Sequence, residues 1–405
     1  MVLRMAWRNI IRQRRRSLLT LMSLSFSYLI VCASISFQEG SYDSVISQFT
    51  KQHLGHLKIH REGYNEKPSL YKTIESPREI QSELKQFSEI RSVLPRVQGF
   101  SLFHGRKKVT AARVVGIDFD RESRATGLSE RVASGKYPRS EGSEMRPPVL
   151  LGSKLAQSLR VSVGDEVAGI SQGKDGSVAT ELFYVIGIVG SRDALDSHTA
   201  YISLKSGQEF FSLGGEVHEL MIMTSSYRES IKLARRLRKL DQEGLEMIPW
   251  QEAEKEFYKT MEADKQGGHV FFVLILLMVL AGILNTVLMS VFERAREYGV
   301  LMAIGSSQSL IFTMIMTETL MLACGSILVG FLICVPMNYW FVHYGIVLPQ
   351  PLDVGGMMFD RIRGEMSLYT LGYPAILIFM TSFFATLYPA YIAVRRSPIE
   401  ALRSY

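Results

Sequence analysis

The chain has 405 residues, a formal net charge of +7, 47% hydrophobic residues and only 21% charged ones. It is too apolar for a plain soluble domain and too charged for a bundle buried wholly in lipid. Its three cysteines all fall in uncharged runs, so a disulfide framework is excluded for the long polar segment between them.

Residues 1–16 read as an amphipathic helix on the cytoplasmic membrane interface. Arg4, Arg8, Arg12 and Arg16 recur every fourth residue, while Leu3, Trp7, Ile10 and Ile11 form a second stripe. Such a helix sets tryptophan at headgroup depth and arginines against anionic membrane lipid. Residues 17–37 carry no charge and form the first span. The run is longer than the core of a cleavable signal, and no small-x-small cleavage site follows it, so it reads as a retained anchor.

Residues 38–269 form a large extracytoplasmic domain of mixed pattern. The stretches 56–60, 109–117, 181–190 and 199–204 are rich in β-branched and aromatic residues and read as strands. The stretches 76–87, 153–161 and 229–240 read as helices, the first with Pro77 in its opening turn. The domain is therefore α+β and must hold together by packing alone.

Three more uncharged runs follow, 270–292, 319–341 and 367–394, each long enough for the roughly 20 helical residues a bilayer core requires. The fold class is thus a membrane protein of four transmembrane α-helices, one plus three, with the large α+β domain between spans one and two. Segments 1–16, 293–318 and 395–405 hold eleven basic residues, against two in the loop 342–366. Both termini and segment 293–318 are therefore expected in the cytoplasm. The positive balance records topology, and nucleic acid is not an expected partner.

Segment 293–318 is a cytoplasmic elbow. Glu293, Arg294, Arg296 and Glu297 form a compact two-signed block, where orientation alone would need only positive charge. The block therefore reads as a docking surface. Gly299 and Gly305 loosen the backbone or permit close approach. A carboxylate at the bilayer centre costs about 2.5–3.5 kcal/mol, which sets the start of the third span after Glu318. In the second span, Asn285 and Thr286 either hydrogen-bond between helices or line a substrate cavity. Ser326 and Gly330 suit close packing of the third span.

No catalytic chemistry emerges. "GISQGKDG" (169–176) has a three-residue spacer and Asp175 after Lys174, so it fails the phosphate-loop pattern and reads as a hairpin turn. His53, His56 and His60 have no carboxylate or cysteine at ligand spacing, so no metal site is expected. "SRDALDSH" (191–198) gathers serine, aspartate and histidine without anything to orient them.

"NTVLMSVFERAREYGVLMAIGSS" (285–307) closely resembles the cytoplasmic loop of FtsX-like ABC permeases, the group that contains the LolC/LolE lipoprotein-releasing subunits and the MacB exporters. Glu318 falls where that family usually has glutamate, and "YPAYIAVRRSPIEALR" (388–403) resembles its closing pattern. The stretches 149–167 and 183–204 look like extracytoplasmic elements of LolC/LolE-type permeases.

The resemblance implies a non-catalytic subunit of an inner-membrane transporter. It would pair with a second permease, a copy or a paralogue, and with cytoplasmic ABC ATPase subunits. ATP and Mg would be bound by those partners, and no cofactor by this chain. The residues docking the ATPase would be Glu293, Arg294, Arg296, Glu297, Tyr298 and Gly299. The expected work is release of lipoprotein cargo to a periplasmic carrier. A MacB-like mechanotransmission exporter and an FtsX-like regulator of cell-wall hydrolases are the alternatives.

Overall fold

The computed structural model describes residues 2–106, 108–138, 146–190, 194–240, 243–354 and 357–395. The expected tail 395–405, with Arg396 and Arg403, lies outside the described residues apart from Arg395. The chain divides into two compact units. One comprises Met1–Ser44, Met261–Val347 and Arg361–Tyr405, the other Val45–Thr260 and Leu348–Asp360.

Among the described residues, four helices are long and apolar enough to cross a membrane. The chain opens with α1 (Val2–Arg12) and α2 (Arg14–Phe49). Charge-free runs mark only the middles of these elements. α2 continues past Phe37 and ends in a π-helical turn, Thr50–Leu54. The second apolar run lies within α10 (Lys255–Glu293), which starts well before Val270. Charged residues in those extensions are compatible with helix once the chain has left hydrocarbon. α10 is roughly 58 Å of continuous rod at 1.5 Å per residue. The two extensions are tied together where Tyr42 donates to Asp264 Oδ2 over 2.7 Å and Lys265 meets Glu39 at 2.8 Å.

The elbow expected over 293–318 is instead two helices. α11 (Ala295–Ala303) leads through a turn at Gly305, whose φ of 95° is in the left-handed region, into α12 (Gln308–His343). Ser307 caps α12 by accepting from Leu310 N. α12 runs through Glu318 without a break, as a good helix former allows. α13 (Leu368–Arg395) completes the bundle.

The second unit is built on a mixed sheet. Its strands are β1 (Leu57–Arg61), β2 (Ile90–His104), β3 (Val109–Ile117), β4 (Val132–Gly135), β5 (Pro148–Gly152), β6 (Glu166–Gln172), β7 (Val178–Val189), β8 (Thr199–Ser203), β9 (Glu219–Thr224) and β10 (Leu245–Pro249). Their order is β10-β1-β9-β2-β3-β8-β5-β7-β4, with β6 joining β2 and β7. The pairs β3–β8 and β5–β7 are parallel. Helices α3 (Pro77–Leu84), α4 (Phe119–Thr126), α5 (Ser153–Leu159), α6 (Ala194–Ser197), α7 (Leu204–Phe210), α8 (Ser230–Leu237) and α9 (Trp250–Ala253) complete this α+β domain.

Its main core gathers fully buried Leu57, Ile59, Val97, Phe103, Phe183, Ile202 and Phe211. Burial of each such side chain contributes about 1.5–3 kcal/mol. A smaller cluster of Phe49, Leu54 and Trp250 also takes Met357 and Phe359, from a second sheet formed by β11 (Ile346–Val354) and β12 (Met357–Ile362).

Candidate functional site

The residues of the two-signed block do not share one face. α11 has helical periodicity, so its residues divide between two sides. Ala295, Tyr298 and Gly299 are buried, as is Arg294 just before them. Arg294 donates from Nη1 to Glu318 Oε2 over 2.8 Å and from Nε to Glu297 Oε2 over 2.9 Å. Its guanidinium lies 5.2 Å from the centre of the Tyr298 ring. Arg294, Tyr298 and Gly299 are thus packed against the bundle. The family resemblance implied all three as docking residues, and the structure buries them. Glu293, Arg296 and Glu297 remain exposed, joined by Val300 and by Ile304, which is 74% exposed.

Glu318 is the hub of this joint. The same Oε2 accepts from Asn9 Nδ2 over 3.4 Å, so one carboxylate links α1, α11 and α12. Asn9 carries no sequence signal, since its partner is 309 residues away. On α1, Val2 and Met5 pack against the bundle core and Ala6 is buried. Arg4, Arg8 and Arg12 are exposed, and so are Leu3, Trp7 and Ile11. Arg16 departs from the expected lipid-facing stripe. It is only partly exposed, and donates to Gln13 Oε1 at 3.2 Å and to Glu293 Oε2 at 3.5 Å.

At the opposite end of the bundle, a cavity of about 760 Å³ lies between α2, α10 and α12. Phe37, Phe271, Phe272, Met337, Trp340 and Phe341 line it, while Gln38, Ser41, Tyr42 and Asp264 supply polar groups. A mostly apolar wall with a few polar groups suits an amphiphile. A smaller cavity of about 370 Å³ between α2 and α10 includes Thr286, whose hydroxyl donates to Gly282 O of its own helix over 2.8 Å. Asn285 is exposed on α10 and lines neither cavity.

The α2–α12 seam is tight. Ser25 Oγ donates to Ser326 O over 2.9 Å, and a Cβ on Gly330 would lie 2.7 Å from the Tyr28 ring. Further along, Cys32 and Cys334 bring their sulfurs to 2.8 Å, with Asn338 Nδ2 3.4 Å from Cys32 Sγ.

In the large domain, buried Arg96 pairs with Glu122 and donates from Nη1 to His53 O over 2.8 Å. Glu219 lies 3.4 Å from Lys58 and 3.9 Å from Arg96. Burial raises the Glu219 carboxyl, but Lys58, Arg96 and Arg113 outweigh it and hold it below the usual range. The three tandem histidines are not gathered on a ligand: His56 Nδ1 accepts from Thr224 N over 3.1 Å, and His60 Nδ1 faces Arg61 O at 3.0 Å. Burial pushes His56 down to about 4. Lys174 pairs with Glu216 beside the β6–β7 turn, where Gly173 N donates to Ser177 O. Of 191–198, Ser191, Arg192 and Asp193 lie outside the described residues, and Asp196 accepts from Tyr201 and pairs with Arg131.

A family model described as MacB-like periplasmic core domain matches residues 17–240, more than half of the chain. A second, FtsX-like permease C-terminal, matches residues 269–398. The lipoprotein-releasing system transmembrane protein LolC of Neisseria meningitidis serogroup B is 22% identical over 345 residues, covering 79% of this chain and 80% of that protein. Its namesake from Xylella fastidiosa strain Temecula1 is 23% identical over 341 residues, covering 78% of each. Among solved structures, the periplasmic region of MacB from Actinobacillus actinomycetemcomitans has a TM-score of 0.39 at 15% identity, covering 53% of this chain and 97% of that one.

Proposed function

This chain belongs to the MacB-like periplasmic core domain family and is a permease of the ABC transporter class, and from that premise we propose that it releases lipoproteins from the inner membrane to a periplasmic carrier. α1 and α11 then face the cytoplasm and the large domain faces the periplasm. ATP and Mg are held by a separate ATPase, and a second permease, a copy or a paralogue, completes the transporter.

The observation that carries this reading is the apolar cavity of about 760 Å³ between α2, α10 and α12. Acyl chains fit its aromatic and Met337 wall, while the polar edge at Gln38, Tyr42 and Asp264 suits the junction between acyl chains and peptide. The relatives named LolC support the same cargo class.

Force enters at the exposed face of α11. Because Arg294 fixes α11 to Glu318, a push on Arg296, Val300 and Ile304 moves α12 as one body. α10 is joined to α2 by the Tyr42–Asp264 bond, so the two helices are displaced together. Those same tied extensions favour a second reading, mechanotransmission on a soluble periplasmic substrate, which needs no cavity within the spans.

The test is transfer of an acylated protein to a soluble carrier in proteoliposomes containing this chain, its ATPase and its second permease. Filling the cavity with Ala33→Trp or Ser34→Trp should cut transfer at least tenfold while complex assembly is retained. Undiminished transfer, or ATP-dependent export of a soluble substrate by the filled variants, rejects lipoprotein release in favour of the second reading.

A further inference from the structure

The large domain carries a polar cleft of about 670 Å³ that none of the transport steps above uses. Its walls come from the π-helical turn after α2, the start of β2, α4 and the end of β9. Lys51, Arg91, Arg121 and Arg124 line it together with His56 and Ser225, and among the described residues no carboxylate does. We propose that this cleft is a binding site for a phosphate ester, in which the four cations converge on the phosphate oxygens.

Three features distinguish it from an ordinary basic surface. First, the walls are locked. Arg96 lies buried beneath them, bonded at once to His53 O in the π-helical turn and to Glu122 of α4. Glu122 is thereby turned inward, and its neighbours Arg121 and Arg124 are left on the cleft side.

Second, the charge is poorly neutralised. Arg121 meets Asp118 at 3.2 Å and also donates to Gln81. Arg91 is held by the Ser225 hydroxyl at 3.2 Å and Arg124 by the backbone carbonyl of Asp120 at 3.1 Å. Among the described residues, no ion pair engages Lys51, Arg91 or Arg124. A guanidinium positioned by a neutral acceptor keeps its charge and its other N–H groups for an anion.

Third, His56 is held in the wall by its own neighbours, with Nδ1 2.8 Å from Thr224 Oγ1 and 3.1 Å from Thr224 N. The three arginines, Lys51 and the hydroxyls of Ser47 and Ser92 make its lining rich in donors. One carboxylate would neutralise one cation of this set, whereas a phosphate ester presents several oxygens to three arms at once. The inference stands whether or not the cargo is a lipoprotein.

Phosphate esters could reach the cleft as lipid headgroups or as soluble molecules, and the experiment separates these sources. The full chain in detergent is titrated with sn-glycerol 3-phosphate by calorimetry. In parallel, the full chain in nanodiscs with and without phosphatidylglycerol is examined by native mass spectrometry for retained lipid. The double substitution Arg91→Gln with Arg124→Gln is compared with Lys154→Gln with Lys205→Gln, two exposed lysines outside the cleft.

Binding of either probe that falls at least tenfold in the first double variant and less than twofold in the control supports the site, and the probe that binds identifies the source. Binding of neither probe, or equal binding in both double variants, overturns it. Should the arginine variant lose its cooperative thermal transition, Lys51→Gln replaces it. Lys51 is exposed, and a loss below threefold in that variant counts against the site.

Discussion

Arg294 and Glu318, 24 residues apart in sequence, form a buried ion pair 2.8 Å long that joins the start of α11 to α12. Removing one partner of such a pair leaves an uncompensated buried charge, typically at a cost of about 3–5 kcal/mol. Glu318→Gln keeps the shape but weakens the joint. Its complex should still assemble and hydrolyse ATP, while cargo moved per ATP falls severalfold. Arg294→Glu alone should be worse, and combining it with Glu318→Arg should recover part of the coupling. Assay of ATP turnover and transfer in the same proteoliposomes decides this; an unchanged ratio in Glu318→Gln would remove the joint from the mechanism.

The docking surface proposed on α11 consists of the exposed residues alone. Ile304→Asp and Arg296→Glu alter exposed groups and should weaken ATPase association more than tenfold, with thermal stability within about 0.5 kcal/mol of the parent, as for ordinary surface changes. Tyr298→Ala should do the reverse, destabilising the bundle because the ring is 2% exposed. Co-purification alongside melting curves distinguishes the two patterns, and equal loss of association in all three would mean α11 simply unfolds.

The sequence made the four spans legible because lipid demands continuous uncharged helix, and strands such as β3 because β-branched residues crowd them. It hid β2, where Pro95, Gly99 and several polar residues interrupt the strand pattern. It cut α2 and α10 short, since Glu39 and Lys265 look like the ends of spans yet pair with each other on helices that continue. The buried half of the docking block was out of reach for a related reason. Which face Arg294 takes depends on Glu318 and Tyr298 packing around it, and no local period encodes that. Asn9 and the cavity residues come from distant segments and acquire a role only when the helices assemble.

Acid should loosen the large domain. His56 is buried and held down to about 4 in the folded state, below the ordinary histidine value of about 6.5, so unfolding takes up a proton between those values. The stability contributed by keeping it neutral is therefore complete above about pH 6.5 and is lost as pH falls towards 4, roughly 3 kcal/mol in all. Burial lowers His60 and His218 in the same sense. The depressed Glu219 acts in the same direction at lower pH, its contribution disappearing as the carboxyl protonates. Hydrogen exchange of peptides covering β1 and β9 in the full chain should quicken between pH 6.5 and 4.5 after correction for intrinsic rates, and His56→Gln should flatten part of that slope. A protection profile flat across this range would contradict the assignment.

Cys32 and Cys334 provide a direct test of the α2–α12 seam. Their sulfurs are 2.8 Å apart and both residues are fully buried, whereas Cys324 is exposed. Copper phenanthroline, a membrane-permeant oxidant, should take two electrons from the pair and release two protons, closing a disulfide between the helices. After denaturation, maleimide should label one thiol in the oxidised chain and three in the reduced one, while oxidised Cys32→Ser should keep two. Three labelled thiols after exhaustive oxidation would show that the seam is packed differently. The closed bond also reports on the stroke. If α2 and α12 move as one body, ATP-driven transfer survives it; if α2 slides along Ser326 and Gly330, transfer stops and returns with dithiothreitol. The Ser25–Ser326 bond and the absence of room beside Gly330 favour the first outcome, with at least half of the activity retained.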